Sequence, residues 1–243
     1  MAGGAYTALS GLRTRMEQLD RLASDIANAK TAGYKSERVT TNTAERPDFG
    51  AMLQSAIDVT PGPGRLDFRP GSMERTGRDL DLAIEGRGFF VVDTPEGPRY
   101  TRNGNFTRQA NGTLTTADGL LVQGDKGPLT ITTEGPLSVD NDGTVRAGVQ
   151  HVGRLRIVDF DSYERLEREE MGRFRAPATQ VVNPAAEGVA VRSGLLEASN
   201  VSVADRMVAM TDLARSFEAL QKGLSLLMND IDGRVATELG RRM

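Results

Sequence analysis

Residues 194–231 read GLLEASNVSVADRMVAMTDLARSFEALQKGLSLLMNDI, and the rest of the chain is organised around them. Met210, Leu213, Phe217, Leu220, Leu224, Leu227 and Ile231 follow one another at alternating spacings of three and four. On a helix that spacing is the a/d seam of a heptad, which keeps one narrow apolar stripe on the same face over several turns. Just before it, Ser202-Val203-Ala204-Asp205 has the form of a capping box. There the Ser202 hydroxyl accepts from an otherwise unpaired backbone N–H while the Asp205 carboxylate reaches back. A helix is expected from Ser202 to about Asp232, about 45 Å long at about 1.5 Å per residue.

The other end of the chain repeats the pattern. Leu9, Leu12, Met16, Leu19, Ala23 and Ile26 again alternate by three and four, with Leu22 widening the stripe and Arg13, Arg15, Glu17, Asp20 and Arg21 on other faces. Asn28, Thr31 and Gly33 end that helix, because they favour caps, turns and left-handed backbone over helical continuation. Between residues 34 and 77 the periodicity dissolves. Val39-Thr40-Thr41 fits a short strand and residues 51–57 a helical turn or two, but Pro61-Gly62-Pro63-Gly64 excludes regular helix or central strand.

From Leu80 to Ser193 the period changes to two. Leu80, Leu82 and Ile84 alternate with Asp79, Asp81 and Ala83, and Phe89-Phe90-Val91-Val92 forms a short apolar run. Asn103-Gly104, Asn111-Gly112, Asp118-Gly119 and Asp142-Gly143 punctuate the runs with dipeptides that accept the positive φ of hairpin turns. The expected fold is α+β. Long N- and C-terminal helices (1–33 and 194–243) form a coiled-coil-like layer, an extended arm (34–77) connects, and a central antiparallel β domain spans 78–193.

Composition removes several classes of function. Only 5% of the 243 residues are aromatic and tryptophan is absent, which favours thin or elongated structure over one deep core. With 30 basic and 33 acidic side chains and no basic block, nucleic acid is not an expected partner, since affinity for phosphate requires concentrated Lys and Arg. There are no cysteines, so disulfides and thiol chemistry are excluded. No basic segment precedes an apolar one at the N-terminus, so no cleavable secretory signal is expected. No apolar run approaches the roughly 20 residues of a membrane span, so no direct membrane insertion is expected either.

Catalytic constellations are not evident. His151 is the single histidine, and its loop-and-strand context reads as surface. The carboxylate pairs Asp79/Asp81 and Asp159/Asp161 carry nothing that would make one an acid and the other a base. Gly86-Arg87-Gly88 reads as a glycine turn, not a phosphate loop. Asp140-Asn141-Asp142-Gly143-Thr144 opens like a calcium loop but lacks the later bidentate Glu, so a hairpin turn is expected. The sequons at Asn105, Asn111 and Asn200 read as turn and cap residues. No catalytic residue, metal ligand or cofactor is expected.

Three stretches resemble a known family in its order. Ala8-Leu9-Ser10-Gly11-Leu12, Leu19-Asp20 and residues 26–35, with Asn28, Thr31, Gly33, Tyr34 and Lys35, resemble the N-terminal signature of bacterial flagellar rod and hook proteins. Residues 79–90, with Leu80, Asp81, Ala83, Gly86, Gly88, Phe89 and Phe90, resemble the segment that opens the family's β domain, and residues 100–106 continue it. Residues 194–201, with Glu197, Ser199, Asn200 and Val201, resemble the C-terminal signature; Ala204-Asp205 departs from the Val-Glu common there.

Residues 152–158, followed by Gly172-Arg173-Phe174, are similar to the proximal-rod type more than to the distal-rod type. The resemblance implies a non-enzymatic subunit of the hollow drive shaft that crosses the periplasm and passes torque to the hook. It implies export by the flagellar type III apparatus. The partners it implies are copies of the chain, other rod proteins and neighbouring axial and basal-body components. The two terminal seams would then be assembly surfaces; the alternatives are a distal-rod subunit of the same family and, in a different class, a self-contained β-domain binding module whose two helices pair within one chain.

Overall fold

The computed structural model describes residues 2–38, 64–133, 135–184 and 188–240. Two helices bracket the chain, α1 (Ala2–Ala27) and α2 (Val203–Gly240). The strand expected at Val39-Thr40-Thr41 and the helical turns expected at 51–57 lie outside the described residues. The chain forms two compact units. One comprises Met1–Ala27, Glu37–Arg65 and Ser202–Met243, and the other Asn28–Ser36 and Leu66–Val201.

In the first unit α1 packs against α2. The α2 start follows the Ser202 half of its capping signal: the Asp205 N–H donates to Ser202 Oγ at 3.4 Å, and the Arg206 N–H donates to the Ser202 carbonyl at 3.0 Å, while the Asp205 carboxylate does not reach back to close the box.

The second unit is antiparallel β throughout its described pairings. Its largest sheet has ten strands, with the path Glu167–Arg168, Arg173–Arg175, Gly97–Thr101, Phe89–Thr94, Leu121–Gly124, Leu114–Thr116 and Phe106–Arg108. Strand Ile157–Phe160 pairs with both Phe89–Thr94 and Val182–Pro184. A separate three-stranded meander is built from Leu137–Val139, Thr144–Ala147 and Gln150–Arg154. The acidic, arginine-rich stretch after Tyr163 contributes two short 3-10 turns, Tyr163–Arg165 and Glu170–Gly172.

Strand Phe89–Thr94 explains its own unbroken apolar run. Alternate side chains enter two cores: Phe90 and Val92 pack with Leu82, Ile84, Phe106, Leu114 and Val122, while Phe89 and Val91 pack with Tyr100, Phe160 and Phe174. A strand covered on both faces has no polar alternation to show. The second core is aromatic. Phe89 meets Phe68, Phe160, Tyr163 and Phe174 with ring centroids 5.4–5.8 Å apart in edge-on and tilted arrangements.

The alternation read at residues 79–84 holds only in part, because Asp81 and Ala83 are buried alongside Leu82 and Ile84. Asp81 is held there by the Asn105 bridge on its backbone and by Arg78, 3.6 Å from its carboxylate. The bookends of the unit are also zipped: Leu82–Glu85 pairs with Ala190–Ser193, and Met73–Arg75 pairs with Leu195–Glu197. Sequence pieces from both ends of the β region thus meet side by side.

Candidate assembly faces and the signature cluster

Among the described side chains of α1 the most buried are polar. Thr14 and Asp25 are buried, and they lie eleven residues apart, about three turns, on one face. Asp25, 1% exposed, accepts from Arg206 of α2 at 3.1 Å. Arg206 also donates to the Glu37 carbonyl at 3.3 Å, and Glu37 pairs with Arg21 at 3.4 Å. The apolar stripe lies on a different flank: Leu12, Leu19 and Ile26 are only partly buried, and Met16 is 56% exposed.

Two stripes mark α2. Arg206 and Leu213, seven residues apart, point inward, with Leu213 8% exposed and Phe217 partly buried. Val203, Met207, Met210 and Ala214, spaced four, three and four, stand outward, with Met207 54% exposed. The side chains of Leu9, Leu220, Leu224, Leu227 and Ile231 lie outside the described residues. Among the described side chains the pairing of the two helices includes the Asp25–Arg206 ion pair and the buried Leu213, while Met16 and Met210 of the two seams are exposed.

In the β unit, residues from all three signature stretches converge on one buried cluster. The Lys35 ammonium donates to Glu197 Oε1 at 2.5 Å and to the Arg69 carbonyl at 2.9 Å. Glu197 Oε1 also accepts the Gly71 N–H at 3.1 Å, and Oε2 accepts from Arg102 at 3.3 Å. Arg102 spends its other donors on the carbonyls of Ile84 and Gly86, at 3.1 and 2.7 Å, and its guanidinium lies 5.4 Å from the Phe89 ring centroid. Lys35 is 1% exposed by side chain and Glu197 0%. Burial pulls the Lys35 ammonium below the ordinary lysine range, against the attraction and hydrogen bond of Glu197, which work the other way.

Around this centre the Tyr34 ring carries the Arg168 guanidinium at 4.6 Å, and Arg168 donates to the Tyr34 hydroxyl at 2.8 Å and to the Lys35 carbonyl. Gly33 has φ +69, and a Cβ there would sit 2.4 Å from the Arg102 backbone carbon, so both conformation and close approach require glycine. Asn200, read from sequence as a residue beside a helix cap, does more. Its Oδ1 accepts the Ser36 N–H at 2.7 Å, and its amide donates to the carbonyls of Asp67 and Arg69 at 2.7 and 3.1 Å. Arg102 lay inside the signature stretch 100–106 without a role of its own, and Asp67 and Arg69 were not singled out by the sequence, since nothing local marks a residue whose partners are far away in the chain.

The motifs weighed for chemistry are occupied structurally. Gly86 and Gly88 adopt φ +108 and +134 in a turn into Phe89–Thr94, and His151 is an exposed strand residue. Asp142 accepts from the N–H and hydroxyl of Thr144 at 3.0 and 2.9 Å, while Asp140 pairs with Arg146 at 2.7 Å, as in a hairpin turn. Among the described residues no group of His, Asp or Glu is arranged to hold a metal ion. Nor is any helix there long and apolar enough to cross a membrane.

Comparison with known proteins bears directly on the cluster. Residues 83–147 match the flagellar hook protein FlgE/F/G D1 domain family, and residues 192–226 match the flagellar basal-body rod FlgEFG C-terminal family. The chain is 34% identical over 229 residues to the flagellar basal-body rod protein FlgF of Caulobacter vibrioides, covering 91% of this chain and 92% of that one. The chain belongs to the flagellar rod and hook protein family. Within it, the FlgG rod protein of Bacillus subtilis is 32% identical, covering 91% of this chain and 94% of its own. The FlgF rod protein of Salmonella typhimurium is 32% identical, covering 89% and 90%. Members of this family are structural, and this chain is a structural subunit rather than an enzyme.

Proposed function

We propose that the chain is a proximal-rod subunit of the FlgF type, built into the drive shaft that crosses the periplasm. It would be exported by the flagellar type III apparatus and held in the shaft by its terminal helices. The observation that carries this reading is the exposure of apolar side chains among the described residues of both helices: Met16 on α1 and Met207 and Met210 on α2 stand in solvent while Asp25 and Arg206 bridge the mutual contact of the helices. Apolar stripes left open on helices are sites for other chains. The neighbours proposed to cover them are copies of the chain and other rod and axial proteins. Leu9, Leu12, Met16, Leu19 and Ile26 on one helix, and Met210 to Ile231 on the other, would be the contacts.

The preference for FlgF over the distal-rod type rests on the 34% identity to the Caulobacter protein and on the segment around Gly172-Arg173-Phe174. The test is Met16→Glu combined with Met207→Glu. Both positions are exposed, so the purified chain should keep its stability within about 0.5 kcal/mol. In cells lacking the native copy, the variant should be exported but absent from purified basal bodies, and swimming should be lost. Normal incorporation would overturn the assembly reading. Cross-linking from Met207 replaced by a photoreactive residue would then report which rod neighbour lies beside the chain, and contact with hook-proximal subunits alone would favour the distal position.

A further inference from the structure

The two connectors that lead to the helices, residues 28–36 and 197–201, are fastened to each other inside the β unit. The Gly33 N–H donates to the Glu197 carbonyl at 2.7 Å, the Ser36 N–H to Asn200 Oδ1 at 2.7 Å, and the Asn200 N–H to the Tyr34 carbonyl at 3.3 Å. These bonds are few and no sheet ladder joins the connectors. What holds them is the Glu197 carboxylate, fully buried, which accepts at once from Lys35 of the first connector, from the Gly71 backbone and from Arg102 of the core. Arg102 in turn ties the group to the carbonyls of Ile84 and Gly86 beside the inner strand.

We propose that Glu197 is a positioning residue, a clamp that makes the N- and C-terminal connectors one rigid attachment to the β core. A load reaching either connector is then shared with the other and with the strands at Ile84 and Gly86. Two cations, Lys35 and Arg102, face the Glu197 carboxylate, nearby Asp67 is paired with Arg69 at 2.7 Å, and every carboxylate oxygen of Glu197 has a donor. A buried carboxylate with three donors from three separate segments cannot lose one segment without stranding charge, so the connectors dock together or not at all. The clamp itself is a property of the single chain; only its consequence for assembly rests on the rod-subunit reading.

The experiment is amide exchange on the full chain together with incorporation into basal bodies, for Glu197→Gln and for the milder Asn200→Ala. In Glu197→Gln the amides of Gly33, Ser36 and Gly71 should exchange on the order of a hundredfold faster, while Phe90 and Val92 in the core stay as in the parent. Asn200→Ala should accelerate Ser36 about tenfold, the factor expected for one lost hydrogen bond to a half-buried partner. Both variants should incorporate poorly although their helix seams are untouched. Unchanged exchange at Gly33 and Ser36 in both variants would overturn the clamp. Faster exchange with parental incorporation would overturn its role in assembly. If the Met16/Met207 variant also incorporated normally, the rod reading would be the one at fault, and exchange alone would judge the clamp.

Discussion

The β unit and the helical unit treat apolar side chains in opposite ways. In the β unit Leu82, Ile84, Phe89, Phe90, Val91 and Val92 are all sealed, shared between two cores on either face of one strand. In the helical unit the most buried of the described positions on α1 are Thr14 and Asp25, while Met16, Met207 and Met210 face water. The first arrangement is complete within one chain. The second leaves apolar area exposed among its described residues, and under the proposed rod reading a neighbouring chain would gain roughly 25 cal/mol per Å² by burying it.

The contrast can be broken most forcefully at Phe89. Phe89→Ala should cost about 3–5 kcal/mol of β-unit stability, because it empties the centre of an aromatic cluster that cannot collapse around the gap. Urea denaturation followed by tyrosine fluorescence would measure it, and a loss under about 1 kcal/mol would show that the β core is less complete than its burial implies. Arg206→Ala should come next. It removes the partner that joins Asp25 to α2 and should cost about 1–3 kcal/mol of helix pairing, seen as lost helical ellipticity at fixed temperature. No change there would mean the helices are held by their apolar seams after all.

The smallest effect concerns acid. Burial raises the Asp118 carboxyl, but hydrogen bonds from Thr116 and Arg173 outweigh it, and the net result lies below the ordinary value of 3.8. A carboxylate depressed in the fold contributes stability above its unfolded value and loses it as pH falls through the folded one. The β unit should therefore weaken as pH drops below 3.8. Because Asp118 and Arg173 are partly open to solvent, screening should keep this below about 1 kcal/mol. Asp118→Asn should flatten that limb; an unchanged acid midpoint would remove the pair from the account.

How much of this was legible beforehand differs between the two units. The helices could be read directly, since a three-four repeat and a capping residue such as Ser202 are local signals. The turn glycines were equally local. The cluster was legible only as a resemblance: Lys35, Glu197 and Asn200 stood in signature stretches, yet nothing in their own neighbourhoods says that a lysine and a glutamate 162 positions apart form one buried ion pair. Arg102 stood in the signature stretch 100–106 too, but its role gave no signal, because an arginine after a strand is ordinary until its partners are known. The reading of Asn200 as a residue beside a cap was incomplete for the same reason.

The sequence by itself determined that a helix lies near each end, the second starting at Ser202, that the interior is β, which residues turn the chain, and that two narrow apolar stripes lie at its ends, because each depends on neighbours within a few positions. The strands Met73–Arg75 and Leu195–Glu197 it left in the arm and the C-terminal segment. Tertiary structure alone decided which side of each stripe meets the other helix, which strand is covered on both faces, and that one buried carboxylate gathers both connectors. Those outcomes depend on what long-range packing brings within hydrogen-bonding distance, and in a low-dielectric interior that distance decides whether a charge is held or expelled.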